Sequence, residues 1–346
     1  MPNNRVLDRE YWSLRDWYSL FPNLHKKKVM KLLSTETVKR ELKVKNKKLP
    51  LKTRIKREWD RNAIVYIFLI PTLIHFLIFQ IFPFAFSFVL TFLDWKVIGD
   101  PEYVGLKHWM RFLEDKLAWK AIWNTVLFSI YYIVPTMALG LILALIINSG
   151  VWLKGFFKGI FFLPVVTSFV IIAGIWGWLF RGTESGMVNY LLSQFGIDTQ
   201  LFLSDSSQAL IVLAGLSIFK VAGSTMIYYF AGLQSIDKQL YESARIDGAT
   251  PFRIFWSITF PLLKPIHFYV AIITTIGSFQ IFDSTFLLTG GGPNYATTTI
   301  VFYLYQQGFG GLNLSYAAVL SYVLFFIILV ISLIQRKYMG QETKYY

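Results

Sequence analysis

No cysteine occurs among the 346 residues, so a disulfide framework, a thiolate metal site and a catalytic thiol are all excluded. The four histidines, His25, His75, His108 and His267, fall in separate segments without ligand spacing, and neither a metal nor another cofactor is expected. A G-x-x-x-x-G-K-[ST] run that would cradle nucleotide phosphates is missing. No paired acid, base or nucleophile stands out, so no catalytic residue is assigned and an enzyme is not expected. Charge is also scarce: Asp, Glu, Lys and Arg make up 16% of the chain, with none between Ser284 and Gln335. What fills the space is 55% hydrophobic residues, 18% aromatics and a mean hydropathy of +0.48, which place the chain in a bilayer.

The net charge of +14 is mostly a local matter, since residues 1–61 carry eighteen Lys and Arg against seven Asp and Glu, a balance of +11. Beside a first apolar run, such a segment reads as a cytoplasmic orientation signal that can also meet anionic lipid, and no nucleic-acid partner is expected. Within it, Leu7, Tyr11, Leu14, Trp17, Tyr18 and Phe21 form an aromatic stripe at helical spacing, which predicts an interfacial helix. A cleavable signal is not expected, because the compact apolar core and small-residue cleavage site are missing.

Hydropathy predicts six spans: 63–82, with apolar character persisting to Leu93, then 122–148, 159–180, 208–232, 266–288 and 315–334. Short loops at 149–158 and 233–265 are basic, whereas 181–207 holds one Arg and three acids. That asymmetry places both termini in the cytoplasm of a multi-pass, all-α polytopic membrane protein. Trp95, Trp109 and Trp119 suit an interfacial belt, so aromatic abundance says little about a solute.

The longest inner interruption, Leu233 to Pro265, carries the most specific pattern. Asp237 is placed to cap a helix over Lys238–Ile246, Gly248 allows a corner, and Pro251 restarts a helix that Pro261 and Pro265 interrupt. Glu242, Ser243, Ala244, Asp247, Gly248, Ala249, Phe255, Ile258 and Pro261 resemble, in register, the EAA loop of bacterial ATP-binding-cassette importer permeases. Ser243 stands where that family usually has Ala, and Phe260 where Leu commonly precedes the proline. Further on, GSFQIFDSTFLLTGGGP at 277–293 resembles the carbohydrate branch, the maltose and glycerol-phosphate permeases. The likeness covers roughly Ile64 to Gln335.

The resemblance implies a type I permease fold in the bacterial cytoplasmic membrane and an importer passing a sugar or oligosaccharide by alternating access. It also implies a second permease, two ATPase subunits and an extracytoplasmic solute-binding protein as partners. Under it, residues 1–61 are a basic extension, 62–116 the first span and outer loop, 117–337 the transport domain with the EAA loop at 237–265, and 338–346 a tail. Glu242, Ser243, Ala244, Asp247, Gly248 and Ala249 would meet the ATPase, while Lys220, Ser224, Thr274, Ser278 and Asp283 would border the solute path. Lys220, an ionisable residue inside a span, must pair, snorkel or line a polar cavity, and Asp283 is a possible counterpart. Thr274 and Ser278 share a helical face that can serve helix packing instead of solute. Two other readings stay open: the same architecture carrying a polyol phosphate, and a membrane scaffold or sensor that recruits an ATPase without moving solute.

Overall fold

The computed structural model describes residues 51–95, 100–150 and 153–340, with side chains from residue 64 onward. The interfacial helix expected near the N-terminus lies outside them. The chain divides into two units, residues 1–80 and 81–346. The first contains helix α1 (Leu51–Phe76). The second begins with α2 (Phe82–Leu90) and a two-residue antiparallel ribbon, β1 (Leu93–Asp94) against β2 (Glu102–Tyr103).

Among the described residues, four helices are long and apolar enough to cross a membrane: Ile64–Leu90, Lys116–Asn148, Ala209–Gln234 and Leu314–Met339. Two further pairs count as one span each, giving up to six, but each is sharply bent. The pair Lys154–Val166 and Phe169–Leu179 turns by 94°, and Pro251–Leu262 with Lys264–Phe279 turns by 65°. The third span, expected over 159–180, is therefore broken at Thr167 and Ser168, which adopt extended backbone. The fifth ends at Phe279 rather than at Leu288. Gln280 closes the helix, and only a π-turn over Thr285–Thr289 follows, stopped by Gly290 in the left-handed region at φ 56°.

The central bundle is built from α4 (Lys116–Asn148), α8 (Ala209–Gln234), α12 (Lys264–Phe279) and α14 (Leu314–Met339). Toward one end, Leu141, Ala144 and Ile147 interlock with Met226, Tyr229, Leu233, Leu263 and Val270. At the other end, Ala118 and Ala121 meet Phe279, Tyr316, Val319 and Leu320, with α3 (Lys107–Glu114) and α13 (Ile300–Tyr305) completing the cluster. Small residues bring the helices together where no hydrophobic force separates helix from lipid. A Cβ on Gly140 would lie 2.8 Å from Thr225 Cβ, and one on Gly223 would run into the Phe161 carbonyl.

The junction at this second end is pinned by one carboxylate. Asp115 caps α4 by accepting from Leu117 N at 2.9 Å and Ala118 N at 3.1 Å, and its other oxygen accepts from Tyr303 at 2.6 Å and Tyr316 at 2.5 Å. Burial alone would raise its pKa. The Tyr303 and Tyr316 hydroxyls and the two backbone donors outweigh that and hold it below the ordinary carboxylate value. A depressed folded value means stability that is present above the unfolded value of about 3.9 and lost as pH falls through the lower folded one. Asp115→Ala is therefore expected to lower the unfolding midpoint of the detergent-solubilised chain at pH 7. It should also flatten the acid-side decline below about pH 4, read by unfolding scans from pH 3 to 7. Equal scans for both proteins would remove Asp115 from this role.

Candidate functional site

The loop between α8 and α12 folds into a helix, a corner and a second helix. Helix α9 runs over Lys238–Ile246, with Asp237 as N-cap accepting from Gln239 N at 2.9 Å. Its end is a Schellman closure: Ala249 N donates to Ala244 O at 2.9 Å, Gly248 N to Arg245 O at 3.0 Å, and Gly248 takes φ 75°. Thr250 then caps α10 (Pro251–Ile254), accepting from Arg253 N at 3.3 Å, and the chain continues through a π-turn (Phe255–Thr259) into α11 (Phe260–Leu262). Tyr241 and Thr259 share a hydrogen bond of 3.2 Å that ties the two arms together.

Of the residues expected at the ATPase contact, Glu242, Ser243, Asp247 and Gly248 are exposed, Ala249 is half-buried and Ala244 is buried inside the corner. Arg245 is exposed and makes no ion pair among the described residues. A groove of about 750 Å³ runs beside this knob, with Tyr241, Glu242, Arg245 and Ala249 facing Asn148 and Lys154. Two apolar tips that the residue-by-residue reading passed over are Ile246, 87% exposed, and Phe252, 75% exposed. Their signal was an apolar residue on each side of the Gly248 corner in the otherwise small or polar stretch 242–253.

The membrane-embedded candidates separate. Lys220 does not pair with Asp283. Its ammonium donates to the carbonyls of Pro164, Val165 and Thr167 at 2.7, 2.9 and 2.5 Å. These are the acceptors left open where α5 (Lys154–Val166) stops short of α6 (Phe169–Leu179), and a cation there also answers the negative end of the α5 dipole. Lys220 was legible as an anomaly, but its partners were not, because the break in the third span carries no charged marker.

Thr274 and Ser278 are buried, their hydroxyls donating to Val270 O at 2.7 Å and Thr275 O at 2.8 Å of their own helix. The open face of α12 instead carries Ile273, Gly277 and Gln280. Ser224 is half-buried on α8, and Asp283 is exposed just beyond α12. None of these residues shares a hydrogen bond or ion pair with Lys220, and no group of three or more His, Asp or Glu that could hold a metal occurs among the described residues.

Residues 136–336 match the family model described as the binding-protein-dependent transport system inner membrane component. The chain is 32% identical over 284 residues to the arabinooligosaccharides transport system permease protein AraP of Bacillus subtilis (strain 168), covering 82% of this chain and 90% of that protein. To the sn-glycerol-3-phosphate transport system permease protein UgpA of Escherichia coli (strain UTI89 / UPEC) it is 30% identical over 282 residues, 81% and 95% of the two chains. Among solved structures it resembles a bacterial ABC transporter involved in the import of the acidic polysaccharide alginate. That match has a TM-score of 0.72 and 29% identity, and covers 84% of this chain and all of the other. The helical bundle, the turn-closed knob between its fourth and fifth spans and these matches agree: the chain belongs to the family of binding-protein-dependent transport system inner membrane components, the permeases of ABC importers.

Proposed function

We propose that this chain is one of two permease subunits in an importer of a sugar or oligosaccharide, driven by two ATPase copies that grip its cytoplasmic knob. A solute-binding protein delivers solute from outside, and both termini of this chain face the cytoplasm. The observation that carries the reading is the knob itself. It is a locked two-arm unit held between two spans, with Ile246 and Phe252 uncovered at its end. Exposed apolar side chains rimmed by charge suit burial in a protein cleft, and a rigid element can pass a partner's movement to the spans attached to it. Support for a saccharide comes from the relative named for arabinooligosaccharides and from the alginate transporter.

The reading is tested by reconstituting the complete complex in liposomes with its binding protein outside and ATP inside. Uptake of a labelled oligosaccharide that requires both ATP and the binding protein is the expected outcome. ATP hydrolysis that ignores every solute in a panel of sugars and sugar phosphates would favour a scaffold that recruits an ATPase without transport.

A further inference from the structure

Beyond α12, the chain builds a continuous run of aromatic rings. Phe286 N donates to Phe282 O at 2.9 Å, and this turn stacks the two rings 5.2 Å apart at 19°. Tyr305 packs edge-on against both, at 5.1 Å from Phe282 and 5.6 Å from Phe286, and Phe309 stacks on Tyr305 at 5.3 Å. The rings at the open side are Phe286, 46% exposed, and Phe309, 68% exposed.

Exposed rings on a membrane protein ordinarily face lipid, but this run carries a carboxylate. Asp283 lies three residues before Phe286 at the start of the same helical turn, is exposed, and has no hydrogen-bond or ion-pair partner among the described residues. An uncompensated carboxylate against acyl chains is costly, whereas one bordering a water-filled path is not. Among the described residues no cation forms an ion pair with it. Lys220 is committed to three carbonyls, Lys120 donates to Asn294 O at 2.7 Å, and Arg111 lies over the Tyr316 ring and donates to Gln307 Oε1 at 3.2 Å. From Ser284 to Gln335 the sequence offers no further charge.

We propose that Asp283 and the rings of Phe286, Tyr305 and Phe309 form a station on the solute path that takes an uncharged saccharide and turns away anionic ones. This rests on the importer reading above and narrows its substrate class. The C–H faces of a sugar lie on aromatic rings while its hydroxyls donate to a carboxylate that has several acceptor sites to offer. A uronate or a polyol phosphate would instead bring a second negative charge against Asp283, which has no ion-paired cation among the described residues to offset it. The station therefore separates this chain from the solutes named for two of its relatives, sn-glycerol 3-phosphate and alginate.

The test measures equilibrium binding of labelled neutral oligosaccharides, uronate oligosaccharides of equal length and glycerol phosphate to the assembled permease–ATPase complex without binding protein. The neutral sugars are expected to bind at least about tenfold more tightly than the anionic ones, and Asp283→Asn to shrink that gap to about two- to threefold. Phe286→Ala and Phe309→Ala should each weaken neutral-sugar binding about fivefold or more without changing the charge preference of what remains. Equal or tighter binding of anions, or an unchanged ratio in Asp283→Asn, would overturn the proposal. So would ring variants that alter only assembly of the complex, which would make this face a contact with the second permease. Where the complex transports saccharides yet binding shows no charge preference, this inference falls and the importer reading stands. Where no saccharide is transported either, both fall.

Discussion

Gly248→Val is expected to abolish most of the stimulation of ATP hydrolysis by solute-loaded binding protein, while Gly248→Asn retains it. The reason is the backbone alone: Gly248 sits at φ 75°, and a Cβ there would meet nothing within 4 Å of this chain. A left-handed conformation costs an L-residue about 1–2 kcal/mol, more for a β-branched side chain, whereas Asn tolerates it. The Schellman closure, with its bonds to Arg245 O and Ala244 O, then opens in a large fraction of molecules, and the angle between the knob's arms is lost. A fall on the order of tenfold in coupled hydrolysis follows from about 1.4 kcal/mol. If Val and Asn behaved alike, side-chain bulk at the ATPase contact rather than the corner's conformation would explain the loss.

Lys220→Met is expected to destabilise the membrane domain rather than alter its solute preference. Removing the ammonium leaves the carbonyls of Pro164, Val165 and Thr167 without their donor at a 94° break. An acceptor stripped of its partner costs up to about 1–3 kcal/mol when buried, and because these are half-buried and partly rescued by water a net deficit on the order of 1–3 kcal/mol remains. Less folded complex should be recovered from membranes, and its unfolding midpoint in detergent should drop. Lys220→Arg, which still offers donors, should recover most of both. A Lys220→Met complex with native yield and midpoint but altered solute ratios would return Lys220 to the solute path.

The parts of this molecule that announce themselves locally were legible from residues alone. Asp237, Gly248 and Pro251 dictate a cap, a corner and a restart, and helix α9 occupies the expected Lys238–Ile246. Hydropathy located the second, fourth and sixth spans because each is one apolar run. The break in the third span and the early end of the fifth helix were not visible because they cost little sequence: Thr167–Ser168 and Gln280 are small or polar positions that hydropathy averages away. Thr274 and Ser278 illustrate a different limit. Periodicity groups them on one face but does not say which neighbour covers it, and here the bundle does, leaving Ile273, Gly277 and Gln280 open. Asp115 and its two tyrosines were out of reach, since they unite positions nearly two hundred residues apart.

The central claim, that the knob between α8 and α12 is what the ATPase holds, is open to one direct measurement because the chain contains no cysteine. Ile246→Cys introduces a single thiol at a site that is 87% exposed in this chain. Maleimide labelling of that thiol should be rapid in the permease without its ATPase and slowed at least about tenfold in the assembled complex, as expected for a side chain buried at the centre of an interface. Equally rapid labelling in both, in a complex that still couples hydrolysis to transport, would show that the ATPase grips the permease elsewhere.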